Sequence, residues 1–309
     1  MPHAPDPLVP HSFKHDEITT QIAAHPRIRP GPRRATETIV VRGGFPAGDD
    51  IWRRRDFVET VCDRDDPMRL AFLCWNDGSP TIHHEIDRDL KHYVPPPRGT
   101  GLLANVVLPD RLSPSGSTRE LASDLESVIS RFIEVDPDDV QTSVGVVLSS
   151  WFAECFETVP YLWLLGPLGS AKTTFLKLLR CLCRRSVLVG DIRAAALYRL
   201  AHETDITLLI DELELDGSRS SSEVARLLRS GNTRGTDTIR NGQRFSTFCF
   251  KVLASRLPPA DGALVSRSLF VSMRPATKSL EALDESAQRR IIEEFQPRLL
   301  ALRLENLRG

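Results

Sequence analysis

The apolar residues change their period along the chain. Tyr161 to Leu165 is a continuous bulky apolar run, which predicts a strand buried on both faces, and Phe175-Leu176-Lys177-Leu178-Leu179 then takes up helical spacing. A second such run, Ile206 to Ile210, and a third, Cys249 to Ser255, predict further core strands. Upstream, Leu121, Leu125, Val128, Ile129 and Phe132 give Glu120 to Glu134 a helical stripe. Asp136-Pro137-Asp138-Asp139 then caps a second helix over about Val140 to Phe156. Glu223 to Ser230 reads as a helix stopped by Gly231, and Leu280 to Leu307 as closing helices or a partial lid, broken near Pro297. Buried strands alternating with helices predict an α/β fold with a parallel sheet and flanking helices.

From Thr36 to about Leu112 the pattern shortens. Strand-like runs such as Thr38 to Arg42 and Leu70 to Trp75 are separated by turn signals at Arg42-Gly43-Gly44-Phe45-Pro46, Asn76-Asp77-Gly78-Ser79-Pro80 and Pro95-Pro96-Pro97. With a helical stretch from Ile86 to Tyr93, residues 36–112 read as a small α+β module of unknown role. Residues 1–35 hold seven of the 22 prolines and four of the eight histidines with few large apolar residues, so they read as a disordered tail. Its Arg27, Arg29, Arg33 and Arg34 fit a solvated arm better than a nucleic-acid contact. Arg111 to Gly116 reads as a linker, and residues 118–309 as the large domain.

Composition adds bounds. At 309 residues with 41% hydrophobic content the chain can bury one sizeable core beside a small module. The formal charge of −1 advertises no global basic field, so any nucleic-acid binding is local. The longest uncharged runs, Val140 to Ala153 and Thr158 to Ala171, are too short to cross a bilayer, and the N-terminus lacks a signal-peptide core. A cytoplasmic protein without membrane contact is expected. Six cysteines without regular spacing suggest reduced thiols. Cys62, Cys74, His83 and His84 match no metal-ligand spacing and read as separate core and surface residues, with His83-His84 on a surface turn beside Glu85 and Asp87.

The chemistry gathers after the first strand. Gly166-Pro167-Leu168-Gly169-Ser170-Ala171-Lys172-Thr173-Thr174 fits the phosphate-cradling pattern G-x-x-x-x-G-K-[ST], except that Ala171 stands where the second glycine is expected. Backbone N–H groups at a helix start favour an anion, Lys172 reaches the outer phosphates, and the Thr173 hydroxyl suits Mg²⁺. ATP and Mg²⁺ are the expected ligands. A methyl group is tolerable at 171 if the residue has right-handed helical dihedrals, because only a positive φ makes glycine obligatory. MoxR-type and MCM-type ATPases resemble this loop in carrying Ala before the Lys.

About 40 residues beyond Lys172, the apolar strand ends in Asp211-Glu212. Asp211 is the candidate metal residue and Glu212 the candidate for polarising the attacking water. Thr236 to Phe248 reads as a β-hairpin turned by Asn241-Gly242, with Arg240 and Arg244 on its arms as candidate DNA contacts. Ser255, ending the next strand, is suited to sensing the γ-phosphate. Arg267 at the mouth of a further strand is a candidate arginine finger presented to a neighbouring subunit, with Arg234 and Arg256 weaker candidates.

Taken together, the order of these segments resembles the helicase-like AAA+ ATPases of phages, plasmids and mobile elements, which are related to superfamily 3 helicases and often follow a primase. The resemblance covers residues 118–309. It implies a P-loop NTPase of AAA+ type, a hexameric or similar ring that hydrolyses ATP on single-stranded or forked DNA during replication, with the hairpin facing the pore and a primase as possible partner. Two features depart from the family: Ala171, and an N-terminal region without a primase signature. Alternatives are a nucleotide-switched regulatory or defence ATPase that remodels proteins, and a P-loop binding module without turnover.

Overall fold

The structure, a computed structural model, describes residues 37–40, 45–46, 57–66, 68–76, 79–88, 91–98, 105–204, 206–215 and 219–307. The tail read over residues 1–35 lies outside them. The first elements are β1 (Glu37–Val40), β2 (Phe45–Pro46), β3 (Phe57–Cys62), β4 (Leu70–Asn76), β5 (Ser79–His83), β6 (Ile86–Arg88) and β7 (Lys91–Val94). β2–β3–β4–β5 form an antiparallel sheet, and β1–β7–β6 form a second, mixed sheet. The stretch from Ile86 to Tyr93, expected as a helix, is instead the antiparallel pair β6–β7, with Ile86 opposite Tyr93 and β7 running parallel to β1. Eight residues make a weak helix by themselves, and pairing with a strand some 50 residues earlier outweighs their local spacing. The described part of this module is therefore strand where α+β was expected.

The larger part follows as α1 (Thr118–Phe132), α2 (Pro137–Ser150), β8 (Tyr161–Leu165), α3 (Lys172–Leu182), β9 (Ser186–Val189), α4 (Ala194–Thr204), β10 (Thr207–Ile210), α5 (Arg219–Ser230), β11 (Thr238–Arg240), β12 (Gln243–Phe245), β13 (Lys251–Ser255), α6 (Gly262–Val265), β14 (Ser268–Ser272) and α7 (Glu285–Asn306). α1 opens on a capping box, in which Ser117 and Glu120 satisfy each other's backbone N–H groups. Asp136 takes the cap position of α2 with no side-chain bond, leaving Pro137 to start the helix. A 3₁₀ turn at Ala153–Cys155 ends the helical run earlier than its spacing suggests.

Five strands form one parallel sheet in the order β14–β8–β13–β10–β9. Side-chain alternation divides its faces. Leu162 and Leu164 of β8 join the core with α1, α2, α3 and α7, while Tyr161 and Trp163 join the other with α4 and α5. This is the three-layer α/β architecture of a P-loop NTPase, its inner strands β8, β13 and β10 buried on both faces as a parallel sheet between helices requires.

α7 is continuous through Pro297, against the expected break. Proline removes one N–H and so frees the Glu293 carbonyl four residues earlier, and Arg111 Nη2 donates to that carbonyl at 2.8 Å. The helix packs along α3, where buried Gln296 donates to the carbonyls of Cys181 and Cys183. Burial pushes the thiols of Cys181 and Cys183 up to about 12, which leaves them inert.

The N-terminal strands share this core. Val61, Ala71, Leu73 and Trp75 pack into the cluster of α1, α2, α3 and α7, and Val107 N donates to Ser186 O beside β9. Glu59 of β3, 3% exposed, accepts from Arg184 Nη2 at 2.9 Å, from Arg185, and from Arg303 Nε at 3.1 Å. Burial raises the Glu59 pKa, but the charges of Arg184, Arg185 and Arg303 overcome it and hold the carboxyl well below the usual carboxylate range.

Candidate nucleotide site

β8 delivers the phosphate loop to the C-terminal edge of the sheet. Gly166 lies against the end of β14, where a Cβ would come within 2.3 Å of the Met273 carbonyl, and Gly169 has φ of 74°. Those two glycines are required by the chain's path. Ala171 has φ 63° and ψ 19°, which corrects the expected right-handed conformation. It occupies a left-handed position where glycine carries no steric penalty, held there by the loop before it and the helix after it. Lys172, 9% exposed, donates from Nζ to the Gly166 and Pro167 carbonyls, each at 2.7 Å. Burial chiefly lowers the pKa of its ammonium; Asp211 and Glu212 act to raise it and Arg256 to lower it.

The acids arrive from β10. Thr173 Oγ1, in the first turn of α3, donates to Asp211 Oδ2 at 2.7 Å, so residues 38 positions apart share one point at the helix start. A hydroxyl and a carboxylate are hard oxygen donors, and Mg²⁺ takes one or two such ligands with its remaining positions on waters and phosphate. The pair fits that ion. Glu212 is exposed, has φ of 49°, and its N–H donates to Asp211 Oδ1 at 3.0 Å. A non-glycine residue in that region is held under strain, as catalytic groups often are.

The acids open into a cleft of about 530 Å³, lined by Gly190, Asp191, Asp211, Glu212, Glu214 and Arg256 among others. Ser255, expected to face phosphate, turns its hydroxyl into the fold instead, accepting from Trp163 Nε1 at 2.8 Å and donating to Leu257 O at 2.6 Å. Arg256, the next residue, faces the cleft. Arg267 lies at the start of β14, the sheet end opposite its own phosphate loop. There it donates to Asn232 Oδ1 at 3.2 Å and Ala263 O at 2.6 Å, so a role on phosphate is open to it solely across a subunit boundary. Arg234 donates to the Ala153 and Phe156 carbonyls and lies over the Phe248 ring, a structural clamp in place of the candidate phosphate contact.

β11 and β12 form the hairpin expected from Asn241-Gly242, with φ of 49° and 76° at the turn. Ile239 is 73% exposed, Arg240 half-buried, and Arg244 pairs with Asp237. The base is fixed. Buried Lys251 donates to the carbonyls of Gly231, Thr247 and Cys249, and Phe245 packs on Tyr198 and His202 of α4. Sequence reasoning undervalued Arg256 and missed Asp191 and Glu214. Arg256 follows the last residue of β13, and its place at the cleft goes with the bend there, which the strand pattern does not announce. Among the described residues, no group of three or more His, Cys, Asp or Glu gathers to hold a metal, and no helix is long and apolar enough to cross a membrane.

No family model matches the chain, and no curated protein matches it in sequence. Among solved structures it is similar to the apo NrS-1 C-terminal region, at 12% identity and TM-score 0.37, over 81% of this chain and 66% of that one. It is also similar to an inhibitor-bound JCV helicase, at 18% identity and TM-score 0.38, over 61% of this chain and 55% of that one. The chain thus spans between about half and two thirds of these structures.

Proposed function

We propose that this chain is a Mg²⁺-dependent ATPase of AAA+ type that moves along or unwinds DNA, in the replication of a mobile genetic element. The observation that carries the ATPase reading is the Thr173–Asp211 contact, which joins the phosphate loop to the acidic strand end. Backbone N–H groups at the start of α3 receive the phosphates and Lys172 neutralises their charge. Thr173 and Asp211 would hold Mg²⁺, which would supply further charge neutralisation when bound. Glu212 orients the attacking water and takes up its proton. The DNA, ring and primase-partner readings draw on the family resemblance of residues 118–309 and on the projecting hairpin with Arg240 and Arg244.

ATP hydrolysis is expected to rise with single-stranded DNA and with protein concentration. Glu212→Gln is expected to lower turnover about 100-fold or more while nucleotide still binds. Turnover unchanged in Glu212→Gln would remove the assignment, and nucleotide binding without turnover in the native chain would leave a binding module. A second reading, remodelling of a protein partner, is favoured by exposed Ile239 and by the neutralisation of Arg244 on the same hairpin. It expects hydrolysis indifferent to DNA.

A further inference from the structure

We propose that Arg256 is a catalytic cation acting in cis, on the γ-phosphoryl group of the nucleotide held by its own phosphate loop. The inference rests on the ATPase reading above and adds a residue to it. Backbone bonds on both sides fix where Arg256 leaves the sheet. Ser255 O accepts from Gly166 N at 3.3 Å, which ties the end of β13 to the first glycine of the loop, and Ala254 O accepts from Leu213 N at 2.8 Å, which ties it to the segment just after Asp211 and Glu212. Arg256 therefore emerges between the phosphate loop and the two acids. Arg256 is the first residue past the strand, at a bend. Ser255 points into the fold toward Trp163, whereas Arg256 lines the cleft that Asp211 and Glu212 also line.

The charge pattern agrees. The other ionisable residues lining that cleft are Asp191, Asp211, Glu212 and Glu214, and an anion bound there needs a cation. Arg256 is exposed, and no carboxylate among the described residues closes an ion pair with it. Arg267, in contrast, is bonded at the far end of the sheet. In the hydrolytic step the water oxygen forms its bond to the γ-phosphorus as the bond to the ADP oxygen breaks, and the water proton passes to Glu212. Arg256 supplies charge to the equatorial oxygens, neither gaining nor losing a proton, and an arginine in that role is worth about 10³-fold or more in turnover.

The test uses the full chain with Mg²⁺ and ATP. Arg256→Ala is expected to lower kcat by about 1,000-fold while a fluorescent ADP analogue binds within about threefold of the native chain, and Arg256→Lys is expected to recover part of the loss. Mixing Arg256→Ala with Lys172→Ala chains separates cis from trans. A cis cation leaves the mixture inactive, whereas recovered turnover assigns Arg256 to a neighbour's site and overturns the proposal. So does turnover within about threefold of native in Arg256→Ala. If the native chain binds without turnover, the ATPase reading fails by itself and Arg256 is read from affinity. Loss of a preference for ATP over ADP in Arg256→Ala then supports its contact with the γ-phosphate, and an unchanged preference overturns it.

Discussion

Ala171 gives the phosphate loop an internal strain that a single substitution can measure. An L-residue in the left-handed region costs roughly 1–2 kcal/mol, and glycine removes that cost while adding about 0.5–1 kcal/mol of unfolded-state entropy. Ala171→Gly is therefore expected to raise stability by about 0.5–1 kcal/mol in urea unfolding, with the loop path unchanged. A loss of stability would mean that the φ of 63° is not what holds the loop. The residue type at 171 was legible in the chain but its dihedral was not, because the angle is imposed by Ser170 packing below and α3 starting above. Ser255 and Arg256 show the same division. Their order along the strand was plain, but which of them faces the cleft depends on Trp163 having taken the serine hydroxyl.

Elements with strong local chemistry were readable: the strand, loop and helix around Lys172, the strand ending at Asp211, and the hairpin turned by Asn241-Gly242. Those settled by distant partners were not. β6–β7 forms against β1, and α7 crosses Pro297 with the orphaned Glu293 carbonyl accepting from Arg111, 182 residues before Glu293. The hairpin base is held by a buried side chain a few residues beyond it. Burial lowers the pKa of the Lys251 ammonium, yet its bonds to Gly231, Thr247 and Cys249 compensate the charge. Lys251→Met removes the desolvated charge but leaves those carbonyls without their donor. The expected net loss is about 2 kcal/mol, read from the urea midpoint, with faster proteolysis between β11 and β12. Equal or higher stability would show that burying the charge costs more than its bonds return.

Across the whole molecule, the Glu59 cluster joins β3 to the start of β9 and to α7, so the N-terminal strands and the part built on the parallel sheet are expected to unfold together. Its pH dependence has a definite sign. The folded carboxyl lies below its ordinary value of 4.5, so its contribution is complete above that pH and fades as acid carries the solution down toward the folded value. Glu59→Gln is expected to cost about 3–5 kcal/mol at neutral pH, because it leaves buried guanidiniums without their carboxylate, and to flatten stability below pH 4.5. A parallel acid limb in both proteins would place the acid sensitivity elsewhere. α4 joins two other distant parts of the molecule, since it starts just after Asp191 in the cleft and carries His202, whose ring packs on Phe245 and whose Nδ1 accepts from Ser246 N at 3.2 Å. From Ala194 to His202 the helix runs about 12 Å, which makes it a lever arm. A tilt of about 10° pivoting at the cleft end would carry the far end about 2 Å, enough to part that bond and release one arm of the hairpin.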